Sequence, residues 1–132
     1  GQPLTYDDVC VYQWDNYGVW LDGSGNPVRQ ALLQLNGHDR FTEREGEYFN
    51  YVQPWQCNSN TPTDGLNTFS FALQPEDHQP SGTCNFSRID NATLKVTFND
   101  NFKNSNANIS IYAMNVNIFR VMSGMGGVAY SN

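Results

Sequence analysis

Apolar residues along this chain alternate with polar ones at period two, and clusters of turn-forming residues separate the alternating runs. Such a pattern belongs to half-buried strands of an all-β, antiparallel sandwich. Residues 9–14 are predicted to form a first strand, followed by the Asp22-Gly-Ser-Gly-Asn-Pro27 turn. Ala31, Leu33 and Leu35 fall on one face of a short strand that stops at Asn36-Gly37, a pair suited to closing a tight hairpin. Phe69, Phe71 and Leu73 alternate with Thr68, Ser70 and Ala72, which predicts another half-buried strand. Leu94, Val96 and Phe98 are expected to face inward, with Thr93, Lys95 and Thr97 outward. A last strand opens at Ile109, Ile111 and Ala113, and its other face carries Tyr112, Met114, Val116 and Ile118. With both faces apolar, it should be covered on both sides, by the sandwich interior and by a neighbouring domain or subunit.

Residues 42–51 depart from this pattern. Glu43, Arg44, Glu45 and Glu47 precede Tyr48 and Phe49, and Thr42 is a candidate N-cap, so a turn or two of helix is predicted, limited by Gly46. Pro54 and Pro62 are expected to bracket a loop, and residues 74–82 a second one. The count reaches about five or six strands, where a jelly roll needs eight.

Composition narrows the class. A chain of 132 residues fits one domain. A net charge of −6 with only 7 Lys and Arg argues against a surface that tracks phosphates, so direct nucleic-acid binding is not expected. With 15% charged and 14% aromatic residues, the polar surface must come mainly from Asn, Gln, Ser and Thr, which suits packing against copies of the same chain. Cys10, Cys57 and Cys84 are an odd, widely spaced set, readable as mostly buried thiols in a reducing compartment rather than a disulfide framework or zinc site. Neither a secretory signal nor a long apolar span is present in these residues.

Catalytic chemistry finds little purchase. His38 and His78 lie in separate turn-rich segments without metal-ligand spacing, and local backbone hydrogen bonding is their expected role. Glu43, Glu45 and Glu47 interleave with Arg44 as a solvated, ion-paired segment. Ser123-Gly-Met-Gly-Gly127 lacks the Lys-Ser/Thr of a phosphate loop and reads as a turn in which missing side chains let two backbones approach. No cofactor or metal is called for. Asn85, Asn91 and Asn108 each begin an N-glycosylation sequon and are candidate acceptors by pattern, although without a secretory signal the chance-match reading prevails.

Three long runs occur in order: Leu35-Asn-Gly-His-Asp-Arg-Phe-Thr-Glu-Arg-Glu-Gly-Glu-Tyr-Phe-Asn50, Gln79-Pro-Ser-Gly-Thr-Cys-Asn-Phe-Ser-Arg-Ile-Asp-Asn-Ala-Thr-Leu94, and Arg120-Val-Met-Ser-Gly-Met-Gly-Gly-Val-Ala-Tyr-Ser-Asn132. Through them the chain resembles the major capsid proteins of nucleocytoplasmic large DNA viruses, in particular the algal-virus and mimivirus-like branch. Residues 33–132 carry the resemblance and residues 1–28 match poorly. It implies that residues 1–132 are the C-terminal jelly-roll domain, or a fragment of it, from a double jelly-roll protein. It implies a structural, non-enzymatic protein whose subunits form pseudo-hexameric homotrimers. These would tile an icosahedral shell, contact neighbouring capsomers and minor capsid proteins, and assemble in the host cytoplasm, with an internal virion membrane close by. Within that frame Trp14, Trp20, Tyr51, Trp55, Met122 and Tyr130 are the aromatic and apolar candidates for subunit contacts. Arg88, Asp90, Gly124, Gly126 and Gly127 are structural: Asp90 to cap or turn the chain, and Arg88 to pair with it or a nearby carboxylate. Two other readings stay open, a jelly-roll carbohydrate-binding module using exposed Trp and Tyr, and a minor capsid jelly-roll protein.

Overall fold

The computed structural model describes residues 15–20, 22–102 and 108–130. Among these residues six strands carry the architecture: β1 (Val28–Leu35), β2 (His38–Asp39), β3 (Arg44–Glu45), β4 (Ala92–Phe98), β5 (Phe119–Met122) and β6 (Met125–Val128). All pairings are antiparallel. β1 is the spine of a four-stranded sheet, with β2 and β3 sharing one edge and β4 on the other. β5 and β6 form a separate two-stranded sheet. The strand predicted for residues 9–14, with Trp14, lies outside the described residues, as does Cys10.

The spine is where the alternation predicted it. Ala31 is buried and Leu33 and Leu35 are half-buried, while β4 runs alongside in the register Leu33↔Leu94 and Ala31↔Val96. Val96 and Phe98 are half-buried, but Leu94 is exposed, so the inward face of β4 is covered only at its C-terminal end. At Asn36-Gly37 the expected hairpin forms. Both residues have positive φ, 52° and 79°, which matches the twist of the strands and brings Leu35 opposite His38. Asn36 also reaches across the sheet end: its Oδ1 accepts from the backbone N–H of Asp90 and Asn91, and its own N–H donates to the Asn91 carbonyl.

Three expectations change. Helix does form near residues 42–51 but starts later, because Arg44 and Glu45 are taken up as β3 against Gln30 and Ala31. A π-helical turn (Tyr48–Val52) then runs directly into α1 (Gln53–Cys57). Thr42 is therefore no cap, and Pro54 sits in the first turn of α1, where its missing N–H costs nothing. The segment containing Phe69, Phe71 and Leu73 joins no ladder. Its rings pack instead along a chain of tilted and edge-on contacts from Phe49 through Phe41, Phe69 and Phe71 to Phe86, with centroids 4.9–5.6 Å apart. Residues 109–118, expected to be a strand covered on both faces, are neither strand nor covered; every described residue from 108 to 130 is exposed.

Gly46 matters for a reason other than helix weakening. A Cβ there would lie 2.0 Å from the Val28 carbonyl oxygen, so a side chain is incompatible with the helix lying this close to β1. Beneath it Asn50 is fully buried, and its Nδ2 donates to the carbonyls of Thr63 and Leu66, tying the helix to the 63–66 turn.

Candidate assembly surface

The candidate contact residues sit on three elements. Trp20 is in the turn preceding β1, where its N–H donates to the Ser24 carbonyl and its carbonyl accepts from Gly23 N–H and Asn16 Nδ2. Its ring edge rests on Gly25 and its outer face is open to solvent. Tyr51 and Trp55 lie one helical turn apart, in the π-helical turn and α1. Tyr51 donates its hydroxyl to Asp64, while Trp55 has no such tether and is 78% exposed. Met122 ends β5, and Tyr130 follows β6, where Asn117 grips it by donating to its carbonyl and accepting from its N–H.

Alternation alone does not single out the larger apolar exposure. Ile109, Ile111, Tyr112, Met114, Val116 and Ile118 all face solvent, and Met114 is 100% exposed. Phe119, Val121, Met125 and Val128 on the β5/β6 hairpin add to it. Its signal in the sequence is an apolar run on both faces, a pattern that cover already in place would equally produce.

The glycine-rich run behaves differently from a close approach of two backbones. Ser123 and Gly124 are the turn, with φ of 54° and 74°, and close β5 onto β6 as Asn36-Gly37 closes β1 onto β2. At Gly126 the neighbour is a side chain: a Cβ there would fall 2.7 Å from the Phe119 ring, which covers that stretch of strand diagonally. Gly127 has nothing within 4 Å of where a Cβ would stand. Arg88 forms no ion pair among the described residues. Asn85, not Asp90, caps the 3-10 turn Phe86–Arg88, its Oδ1 accepting from Ser87 N–H and Oγ. Asp90 contributes its backbone N–H to Asn36. Asn85, Asn91 and Asn108 are all solvent-exposed.

Among the described residues the perturbed titratable groups sit in loop clasps. Asp64 accepts from Tyr51 and from Gly25 N–H, which holds its carboxyl below the usual range and raises the Tyr51 hydroxyl above it. Ser59 and Asn58 lower Glu76, and Ser24 lowers Asp22, again by hydrogen bonds to the ionised form. Among the described residues no three His, Cys, Asp or Glu side chains converge as a metal-binding group. Cys57 and Cys84 are free and half-buried, less enclosed than their sequence suggested. No described helix is long and apolar enough to cross a membrane.

Antiparallel strands, with large apolar side chains left open to solvent along 109–130, have the character of a β-sandwich of jelly-roll type that packs against further protein. Residues 4–127 match the family described as large eukaryotic DNA virus major capsid protein, and the chain belongs to that family. It is 61% identical over 109 residues to the major capsid protein of Phaeocystis pouchetii virus, covering 81% of this chain and 21% of that one. Identity is 48% over 133 residues to capsid protein 1 of Acanthamoeba polyphaga mimivirus, covering 95% and 22%. It is also 48% over 122 residues to the major capsid protein of Paramecium bursaria Chlorella virus 1, covering 77% and 28%. Among solved structures, a chain of the PBCV-1 virus capsid matches with a TM-score of 0.65 at 40% identity, over 80% of this chain and 30% of that one. The chain thus spans about a fifth of the length of the first two relatives. Family and structural kinship together make the fold class all-β jelly roll and the location the virion capsid.

Proposed function

We propose that these residues supply the C-terminal jelly-roll part of a capsid subunit that self-associates as a pseudo-hexameric homotrimer, and that the trimers tile an icosahedral shell. The role is structural and performs no reaction. Neighbouring capsomers and minor capsid proteins are its partners, host cytoplasm is the place of assembly, and any internal virion membrane is approached without a span. The observation that carries this reading is the exposure of large apolar side chains along 109–130, together with that of Trp55 on the helix. Soluble domains rarely leave large apolar side chains open in such number unless something covers them. Kinship to proteins named as major capsid proteins favours the major over the minor capsid role.

Trp20, Tyr51, Trp55, Met122 and Tyr130 are the proposed anchors, together with Trp14 outside the described residues. Asn85, Asn91 and Asn108 are proposed as glycan acceptors. In the full-length protein Trp55→Ala should reduce the trimer fraction in sedimentation more than Lys95→Ala, since a buried aromatic anchor contributes about 2 kcal/mol or more and an exposed strand lysine little. Equal assembly of the two variants would displace the contact surface from the helix.

A further inference from the structure

Asn36-Gly37 is the sole Asn-Gly pair in the chain, and both residues are exposed at the tip of the β1/β2 hairpin. Gly37 presents no side chain, and nothing lies within 4 Å of where a Cβ would stand, so no neighbour crowds this exposed turn. The amide oxygen of Asn36 is held by two backbone donors, Asp90 N–H at 3.0 Å and Asn91 N–H at 3.2 Å. Two N–H groups converging on one carbonyl oxygen stabilise negative charge as it develops there, more than they stabilise the neutral amide.

We propose that Asn36 is a self-modification site, converted to aspartate through a cyclic imide in the folded protein. The Gly37 nitrogen, losing its proton to water, bonds to Cγ of Asn36, and the resulting oxyanion on Oδ1 is held by the two N–H groups. Collapse breaks the Cγ–Nδ2 bond and releases ammonia, which carries away the added proton. Water then opens the imide. Attack at Cγ returns a normal peptide with an aspartyl side chain at this position, whereas attack at the main-chain carbonyl gives the isoaspartyl isomer. The same two donors polarise Cγ=O in this second step, so the fold steers the product toward the normal aspartyl form. A carboxylate in place of the Asn36 amide keeps both N–H bonds in charge-assisted form, and the hairpin remains clasped to the 90–91 segment. The converted fraction then records the time since folding.

The test is a time course on the intact protein at mildly alkaline pH, followed by trypsin and mass spectrometry of the peptide between Arg29 and Arg40, with aspartyl and isoaspartyl forms separated chromatographically. The expected result is an amide-to-acid mass gain at Asn36 several-fold ahead of Asn58-Ser59 and Asn60-Thr61 in the same digests. The aspartyl-to-isoaspartyl ratio should also exceed that of a free synthetic peptide of residues 30–40 treated in parallel. Gly37→Ala should suppress most of the conversion. Asn36→Asp, which leaves the clasp in place, should melt with the unmodified protein. An Asn36 that stays amidated while the other asparagines react, or a native ratio equal to that of the free peptide, overturns the proposal.

Discussion

Two single residues fix how the helix sits, Asn50 against the 63–66 turn and Gly46 against β1, and neither brings a large apolar side chain. Asn50 has no solvent exposure and satisfies the Thr63 and Leu66 carbonyls with one amide group. Asn50→Ala leaves both carbonyls, which belong to exposed residues, without that donor, at a cost of about 0.5–1.5 kcal/mol for each hydrogen bond lost. Chemical denaturation should show a lower midpoint with an unchanged slope. Gly46→Ala acts by volume instead: the new methyl would stand 2.0 Å from the Val28 carbonyl oxygen, a backbone atom that cannot rotate away. Overpacking of this kind costs about 1–3 kcal/mol, and hydrogen exchange should report the loss first at the β1/β3 pairing. A Gly46→Ala protein as stable as the parent would mean that the helix does not lie on β1 as described.

Between elements, carboxylates do the fastening: Asp64 joins the Gly25 turn to the helix through Tyr51, and Glu76 joins the 74–80 loop to the end of α1. Both carboxyls titrate below their ordinary values of 3.8 and 4.5 because their partners bond the ionised form. The unfolded chain therefore takes up protons first on acidification. The stabilisation is complete above those ordinary values and is lost as pH falls through the lower folded ones. Tyr51 has the opposite sense: its hydroxyl is raised above 10.0, so its contribution holds below that pH and fades as pH rises through the folded value. Pairing Asp64→Asn with Glu76→Gln should lower the neutral plateau of a melting-temperature profile and flatten its acid limb, because the stabilisation that acid removes from the parent is already missing from the variant. β1, its hairpin turn and β4 were legible because alternation and an Asn-Gly pair are local signals. The helix start, the Phe69–Phe71 packing and residues 109–118 were not. β3 captured Arg44 and Glu45 through a long-range pairing, and alternation records which faces are apolar but not whether a partner strand or a covering surface exists. Of the candidate contact residues, aromatic type alone pointed to Trp55, whereas the exposure of 109–130 could be seen only in the fold.

At the scale of the whole molecule, apolar side chains are distributed unevenly. Among the described residues the enclosed apolar core comes down to Ala31, Phe49 and Pro54, with Phe41 packed on Phe49, while far more apolar surface lies open on 109–130. On the reading proposed above, that imbalance separates what folds the chain from what would join it to others. Tyr112 is 92% and Met114 100% exposed, so replacing both with Ser removes almost no buried surface. Substitutions of that kind shift stability by no more than about 0.5 kcal/mol. The full-length Tyr112→Ser, Met114→Ser protein should therefore keep its melting temperature, bind less of a hydrophobic dye before assembly, and form fewer trimers and particles in sedimentation. A contact surface loses affinity when its apolar centre is replaced, whereas a surface that only meets water does not. If melting falls together with assembly, residues 109–118 belong to the core of the folded subunit. If assembly is unchanged, the capsid contacts lie elsewhere, and the helix bearing Trp55 becomes the surface to test next.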